Sequence, residues 1–266
     1  MSQPERPLPA LIGMVHLKPL PGSARFDGDL EAVLAAAAVD AKRLETAGFD
    51  AIGVENFGDA PFFADDVPKA TIAAMTRAIS TVAAAVAVPI GVNVLRNDAC
   101  GALAVAAATG AMFIRVNVLS GSMWTDQGLI AGKAAEVLRL RRSLAPEVRI
   151  FADVFVKHAI PPPGSRLEQA AQELAERSLA DALIVSGTAT GRPPTLSTVQ
   201  DVGDAVPSTP LYVGSGASAL NVAQFLTVAD GVIVGTALKE GAVTTNPVDE
   251  ERAGAFVAAA RKAIAR

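Results

Sequence analysis

Seven polar side chains sit at alternate positions of otherwise apolar, β-branched runs: His16, Glu55, Asn93, Arg115, Asn117, Asp153 and Ser186. Successive side chains of a strand point to opposite faces. AIGVEN (51–56) therefore sets Ile52 and Val54 against Gly53 and Glu55. PIGVNVL (89–95) sets Ile90, Val92 and Val94 against Gly91 and Asn93, and MFIRVNV (112–118) sets Ile114, Val116 and Val118 against Arg115 and Asn117. VRIFADVFV (148–156) leaves Phe151, Asp153 and Phe155 together. The same parity joins Met14 with His16 in LIGMVHL (11–17), and Ile184 with Ser186 in ALIVSG (182–187). Burying such groups is costly unless they are paired. Stability alone does not select them.

Their types point to acid/base chemistry on a small polar substrate. Glu55 and Asp153 are the carboxylates; one carboxylate near another can have a raised pKa and work at neutral pH. Two carboxylates flanking a glycosidic bond are the equipment of a nucleosidase-like cleavage. Asn93 and Asn117 can orient hydroxyls, and His16, Arg115 and Ser186 add substrate contacts. Lys157 shares the parity of Asp153 if that strand continues, and suits a phosphate or a Schiff base; a solvated loop lysine fits the sequence too. No cofactor is required by this set, although His16, Glu55 and Asp153 would also suit a divalent metal. Arg115 with Glu55 or Asp153 equally fits an inert buried ion pair.

Glycine turns supply a second kind of site. Leu211-Tyr212-Val213 runs into Gly214-Ser215-Gly216, and Ala217-Ser218 reads as a helix start. The next apolar run ends in Gly235-Thr236, and Ser186 to Gly191 (SGTATG), which contains Gly187, forms a third small polar turn. Glycine lets backbone approach an anion closely, and helix-opening N–H groups favour one. A phosphate cradle is expected at Gly187, Gly214, Ser215, Gly216, Gly235 and Thr236. Relief of crowding at tight turns would also explain the glycines.

Stepping outward, apolar runs recur at 11–17, 51–56, 89–95, 112–118, 148–156, 182–187, 210–216 and 231–238. Between them lie segments of helical spacing at 30–47, 67–87, 99–108, 132–144, 167–180, 196–205, 217–227 and 249–265, the sixth short and weakly patterned. Eight strand–helix units in 266 residues predict an α/β fold, a single-domain (β/α)8 TIM barrel of the phosphate-binding type, over residues 10–266 with a loose tail at 1–9. A doubly wound sheet would carry G-x-G-x-x-G after its first strand; here that strand ends in His16-Leu17-Lys18-Pro19. In a barrel the polar set faces the interior, most of it near C-terminal strand ends, where such folds place their active sites.

Composition narrows the classes. Lys+Arg number 23 against 27 Asp+Glu, which leaves no basic footprint for nucleic acid. The uncharged stretch 78–95 is broken by Pro89 and changes pattern, so it reads as helix then strand rather than a membrane span. Peripheral membrane association remains open. One cysteine, Cys100, and no signal-peptide pattern predict a cytoplasmic protein. Cys100 itself reads as a small core hydrophobe. Adjacent Phe62 and Phe63 suggest a homo-oligomer contact, and Trp124 lies in a loop that could cover the mouth.

MVHLKPLPGSARF (14–26), VENFGDAPF (54–62), NVLRND (93–98), ADVFVKHA (152–159) and SGTATG (186–191) together resemble the BtpA/SgcQ family along essentially the whole chain. That resemblance implies a phosphate-binding TIM barrel. One branch is named for photosystem I accumulation, as an extrinsic membrane protein; another is labelled a nucleosidase of sugar-utilisation gene clusters. The residues favour an enzyme acting on a small phosphorylated or nucleoside-like sugar compound. The alternative is a non-catalytic assembly factor, whose mouth would be filled and whose apolar patch would lie around Phe57–Phe63.

Overall fold

Eight apolar runs pair into a closed parallel barrel in the computed structural model, which describes residues 7–187 and 189–264. Most of the expected tail (residues 1–6), Thr188 of the SGTATG turn and residues 265–266 lie outside the described residues. In chain order the strands are β1 (Leu11–His16), β2 (Ala51–Glu55), β3 (Ile90–Asn93), β4 (Phe113–Val116), β5 (Ser122–Thr125), β6 (Gly128–Ala131), β7 (Arg149–Asp153), β8 (Ala159–Ile160), β9 (Ala182–Val185), β10 (Leu211–Val213) and β11 (Gly231–Val234). The barrel closes in the order β1-β2-β3-β4-β7-β9-β10-β11. With helices between its strands it is a TIM barrel.

Helices form over α1 (Leu30–Ala47), α2 (Lys69–Ala85), α3 (Ala99–Thr109), α4 (Ala134–Leu144), α5 (Leu167–Gln172), α6 (Leu196–Ala205), α7 (Val222–Phe225) and α8 (Glu250–Ile264). Local chemistry sets several of their ends. Asp29 accepts from Ala32 N–H at 2.9 Å to open α1, and Gly48, at φ 97°, closes it. Asp98 opens α3 in the same way, accepting from Gly101 N–H at 2.6 Å.

The sequence expectations fail in three places. The helix expected at 217–227 is reduced to the four residues of α7. Asn221 Oδ1 accepts from Ser218 N–H at 2.8 Å while its amide donates to Gly216 O at 3.1 Å; this local side-chain bonding competes with the helix. β7 stops at Asp153, and Phe155 takes φ 74°, so strand parity never reaches Lys157. SGSMWTDQG is not a plain loop: β5 and β6 form a hairpin, and β8 adds antiparallel to β5.

Parity along the barrel strands holds as expected. One apolar layer faces the helices; the other fills the interior with Ile12, Met14, Ala51, Phe113, Phe151, Ala182, Ile184, Tyr212 and Ile233. Phe113, Phe151 and Tyr212 stack in sequence, with ring centroids 4.9 and 5.0 Å apart. Tyr212 Oη donates to Pro9 O at 2.9 Å, and Leu8 packs on the same cluster, closing the N-terminal end. Interior glycines leave room for this filling: a Cβ on Gly91 would overlap the Phe113 ring, and one on Gly53 would meet Met14 Sδ at 2.6 Å. The barrel is therefore plugged below and polar above.

Candidate functional site at the C-terminal mouth

The first polar layer above that plug divides into two groups. On one side, Arg115 grips Asp153 through two bonds, Nε to Oδ2 at 2.9 Å and Nη2 to Oδ1 at 2.8 Å. Asn117 Nδ2 and Ser186 Oγ also donate to that carboxylate, at 3.0 and 3.2 Å. Asn93 Nδ2 donates to Arg115 O and Asn117 Oδ1. Four donors saturate Asp153, whose side chain is 0% exposed. Its charge is committed to holding Arg115, the buried ion pair that the sequence left open.

On the other side, register aligns His16 with Glu55 and Glu55 with Asn93. His16 Nε2 lies 3.4 Å from Glu55 Oε1. Burial holds the imidazole below its ordinary pKa, so it is a neutral N–H donor. Burial pushes Glu55 upward, but the His16 hydrogen bond and the charges of Lys157 and Arg115 outweigh it and bring the carboxyl down to about 2. The raised carboxyl expected from the sequence is thus corrected: Glu55 is an anion at neutral pH.

Lys157 reaches the mouth from the loop after β7. Arg96 Nη2 donates to Lys157 O at 2.6 Å. His158, at φ 57°, has Nε2 2.9 Å from Thr190 Oγ1. With Phe155 also left-handed, two strained residues flank the lysine. Its amine is held below the usual lysine range by burial and by Arg115.

A cavity of about 480 Å³ brings His16, Glu55, Arg115 and Lys157 together with Gly214, Ser215, Gly216, Gly235 and Thr236. An adjoining cavity of about 340 Å³ shares Glu55, Phe57, Arg115 and Lys157 and adds Phe62, Arg96, Asn117 and His158. Asn93, Asp153, Ser186 and Gly187 line neither of these two cavities. Gly187, Gly214 and Gly216 are each demanded by packing, since a Cβ would overlap Arg192 O, Ile184 or Pro193 N respectively. The glycines alone therefore do not argue for an anion. The donors above them do: among the described residues, the N–H groups of Ser215, Gly216 and Ala217 have no hydrogen-bond partner. Gly216, at φ 71°, turns them as a loop nest rather than as the helix start expected at Ala217-Ser218.

Sequence reasoning missed Arg96, which lies beyond the end of β3 where parity says nothing, whereas Thr190 and Ser218 fall in the small polar turns that the sequence singled out. The metal set proposed from His16, Glu55 and Asp153 does not assemble, because the Asp153 carboxylate is filled by Arg115, Asn117 and Ser186. Asp65, Asp66 and Asp98 lie close enough to share an ion, but the Lys133 ammonium already sits 2.7 Å from Asp65 and 3.3 Å from Asp66. Cys100 is half-buried, and burial and Glu136 push its thiol up to about 11, so it is no nucleophile. Phe57 and Phe62 line the mouth; of that segment's aromatics, Phe63 alone is exposed. Three exposed large apolar side chains meet instead on the small sheet, where Trp124 stands opposite Leu129 and Ile160. Among the described residues no helix is long and apolar enough to cross a membrane.

Comparison with known proteins agrees with this architecture. The chain is 48% identical to the photosystem I biogenesis protein BtpA of Synechocystis sp., over 94% of this chain and 87% of that protein. It is 31% identical to the sgc region protein SgcQ of Escherichia coli, over 93% and 92%. Among solved structures it superposes on (S)-3-O-geranylgeranylglyceryl phosphate synthase from Thermoplasma acidophilum in complex with sn-glycerol-1-phosphate, at a TM-score of 0.58 and 17% identity, over 95% and 94%; at that identity the likeness is one of fold. The model of the BtpA family matches residues 8–262, and the chain belongs to that family.

Proposed function

We propose that this protein is an enzyme that binds a small phosphorylated sugar-like or nucleoside-like compound in the barrel mouth and moves a proton with Glu55. One observation carries the reading: Ser215–Ala217, whose N–H groups have no hydrogen-bond partner among the described residues, line the same cavity as Glu55, His16, Arg115 and Lys157. Loop donors after the last barrel strands are where this fold frequently holds phosphate, and the glycerol phosphate bound by the synthase of similar fold is consistent with that use. Ser215 to Ala217, with Gly235 and Thr236, would take the phosphoryl group. Arg115, fixed by Asp153, Asn117 and Asn93, would orient the polar body of the substrate. Glu55, ionised and hydrogen-bonded by His16, would act as the base.

Proton transfer of the lyase or isomerase kind fits this better than two-carboxylate glycosidic cleavage. Such cleavage needs one protonated carboxyl. Glu55 is ionised and Asp153 is saturated. A second reading, an assembly factor, takes its support from the name of the Synechocystis relative and from the exposed Trp124–Leu129–Ile160 face. The open mouth speaks for the enzyme.

Thermal unfolding with ribose 5-phosphate, glycerol 1-phosphate and their unphosphorylated parents tests the proposal. A bound phosphorylated compound at 100 times its Kd stabilises by about 2.7 kcal/mol. Ser218→Asp, which sets a carboxylate beside the nest without forcing a Cβ onto a packed glycine, should abolish the shift. An equal shift in the variant, or none with any phosphorylated compound in the wild type, would remove the phosphate site.

A further inference from the structure

Two lysines of this chain are withdrawn from solvent, Lys239 fully and Lys157 partly, and they are treated differently. Lys239 is 0% exposed and paired: its Nζ donates to Asp40 Oδ2 at 2.7 Å. The second oxygen of Asp40 accepts from Val248 N–H at 2.8 Å. That arrangement is what a structural lysine requires, since a buried charge without a partner is costly. Lys157 has no such arrangement. Among the described residues its amine makes no hydrogen bond or ion pair, although Glu55 lines the same two cavities.

The backbone that carries Lys157 is costly to build. Phe155 and His158 are both non-glycine residues in the left-handed region, at φ 74° and 57°. Arg96 clamps the Lys157 carbonyl, and His158 is tied to Thr190. A loop strained on both sides of one residue and tied from two other elements is the pattern of a side chain held for use. The amine lies where the phosphate cavity meets the second cavity lined by Phe57, Phe62 and Arg96. A molecule whose phosphoryl group rests on Ser215–Ala217 would share its cavity with Lys157.

We propose that Lys157 is a covalent nucleophile that forms an imine with a ketone or aldehyde carbon of a phosphorylated substrate. The inference rests on the phosphate-binding reading above and adds the substrate class, a phosphorylated carbonyl compound. The neutral amine adds its electron pair to the carbonyl carbon, forming a C–N bond as the C=O π pair moves to oxygen. An N–H proton then moves to that oxygen to give the carbinolamine, whose hydroxyl takes a second proton from solvent and leaves as water while the nitrogen lone pair completes a protonated C=N. Addition of water reverses both steps and returns the free amine. Burial, the larger cause, and the neighbouring cations Arg115 and Arg96 lower the pKa of this amine against the opposing pull of Glu55 and Asp153, which raises the share of the neutral, nucleophilic form. Glu55 is placed to take a proton from the carbon next to the imine.

Pyridoxal 5′-phosphate is a suitable probe, because it is a phosphorylated aldehyde whose imine absorbs visible light and is fixed by borohydride. Hydride adds to the imine carbon and leaves a stable secondary amine, which peptide mass mapping locates. The expected result is modification of Lys157 at least about tenfold faster than of the exposed Lys262, with loss of the site in Lys157→Arg. Inorganic phosphate should slow it. Labelling of Lys157 no faster than Lys262 overturns the imine, whatever phosphate does. Fast labelling of Lys157 that phosphate fails to slow supports the imine and sinks the phosphate cradle instead. If Lys157→Arg unfolds, the wild-type rate ratio alone decides.

Discussion

Glu55 is the residue on which the proposed chemistry rests, and its charge has a consequence for stability. Its folded pKa of about 2 lies below the ordinary 4.5. A carboxylate depressed in this way stabilises the fold above its unfolded pKa and loses that contribution as pH falls toward the folded one. The stability gap between wild type and Glu55→Gln is therefore expected to be full at pH 7 and to shrink between about pH 4.5 and 2. Denaturant unfolding across that range measures it; a gap independent of pH would mean that Glu55 is not held ionised by His16, Lys157 and Arg115. At this scale the sequence disclosed which side chains face inward, because alternation is local. It did not disclose that Asp153 is consumed by Arg115 while Glu55 is not. That partition depends on the stagger of neighbouring strands, which sets Arg115 opposite Phe151 and Asp153 opposite Ile184.

Elements position these residues by filling the barrel from below. Gly91 has no side chain because Phe113 occupies its place, and Phe113 in turn packs on Phe151 beneath Arg115. Gly91→Ala should therefore cost about 1–3 kcal/mol by overpacking and should tilt the polar layer above. The midpoint of urea unfolding checks the first effect. A neutral outcome would show that the interior is looser than its contacts imply. All eight barrel strands were legible in the sequence, and so were the bounds of α1 and α6, because strand and helix periods differ sharply. The helix expected at 217–227 misled because its alanines and leucines have helical propensity, whereas the Asn221 side chain accepts from Ser218 N–H and donates to Gly216 O. The β5–β6 hairpin was missed because Ser122–Thr125 and Gly128–Ala131 lack the dense β-branched runs of the barrel strands and flank the polar pair Asp126-Gln127, a composition that reads as loop.

The whole molecule is a barrel closed by aromatics at its N-terminal end and open at the other, where two cavities meet over Lys157. That asymmetry favours the proposed enzyme over the assembly factor, since a scaffold has no need for an unfilled mouth lined by Glu55, Arg115 and a lysine that is unpaired among the described residues. The most direct test is a crystal structure after soaking with whichever phosphorylated compound most raises the unfolding temperature. Phosphoryl oxygens are expected within hydrogen-bond reach, about 2.7–3.2 Å, of the N–H groups of Ser215, Gly216 and Ala217, with the rest of the molecule extending toward Glu55 and Lys157. A ligand seated instead against the outer face of β5, β6 and β8, with the mouth empty, would contradict the account.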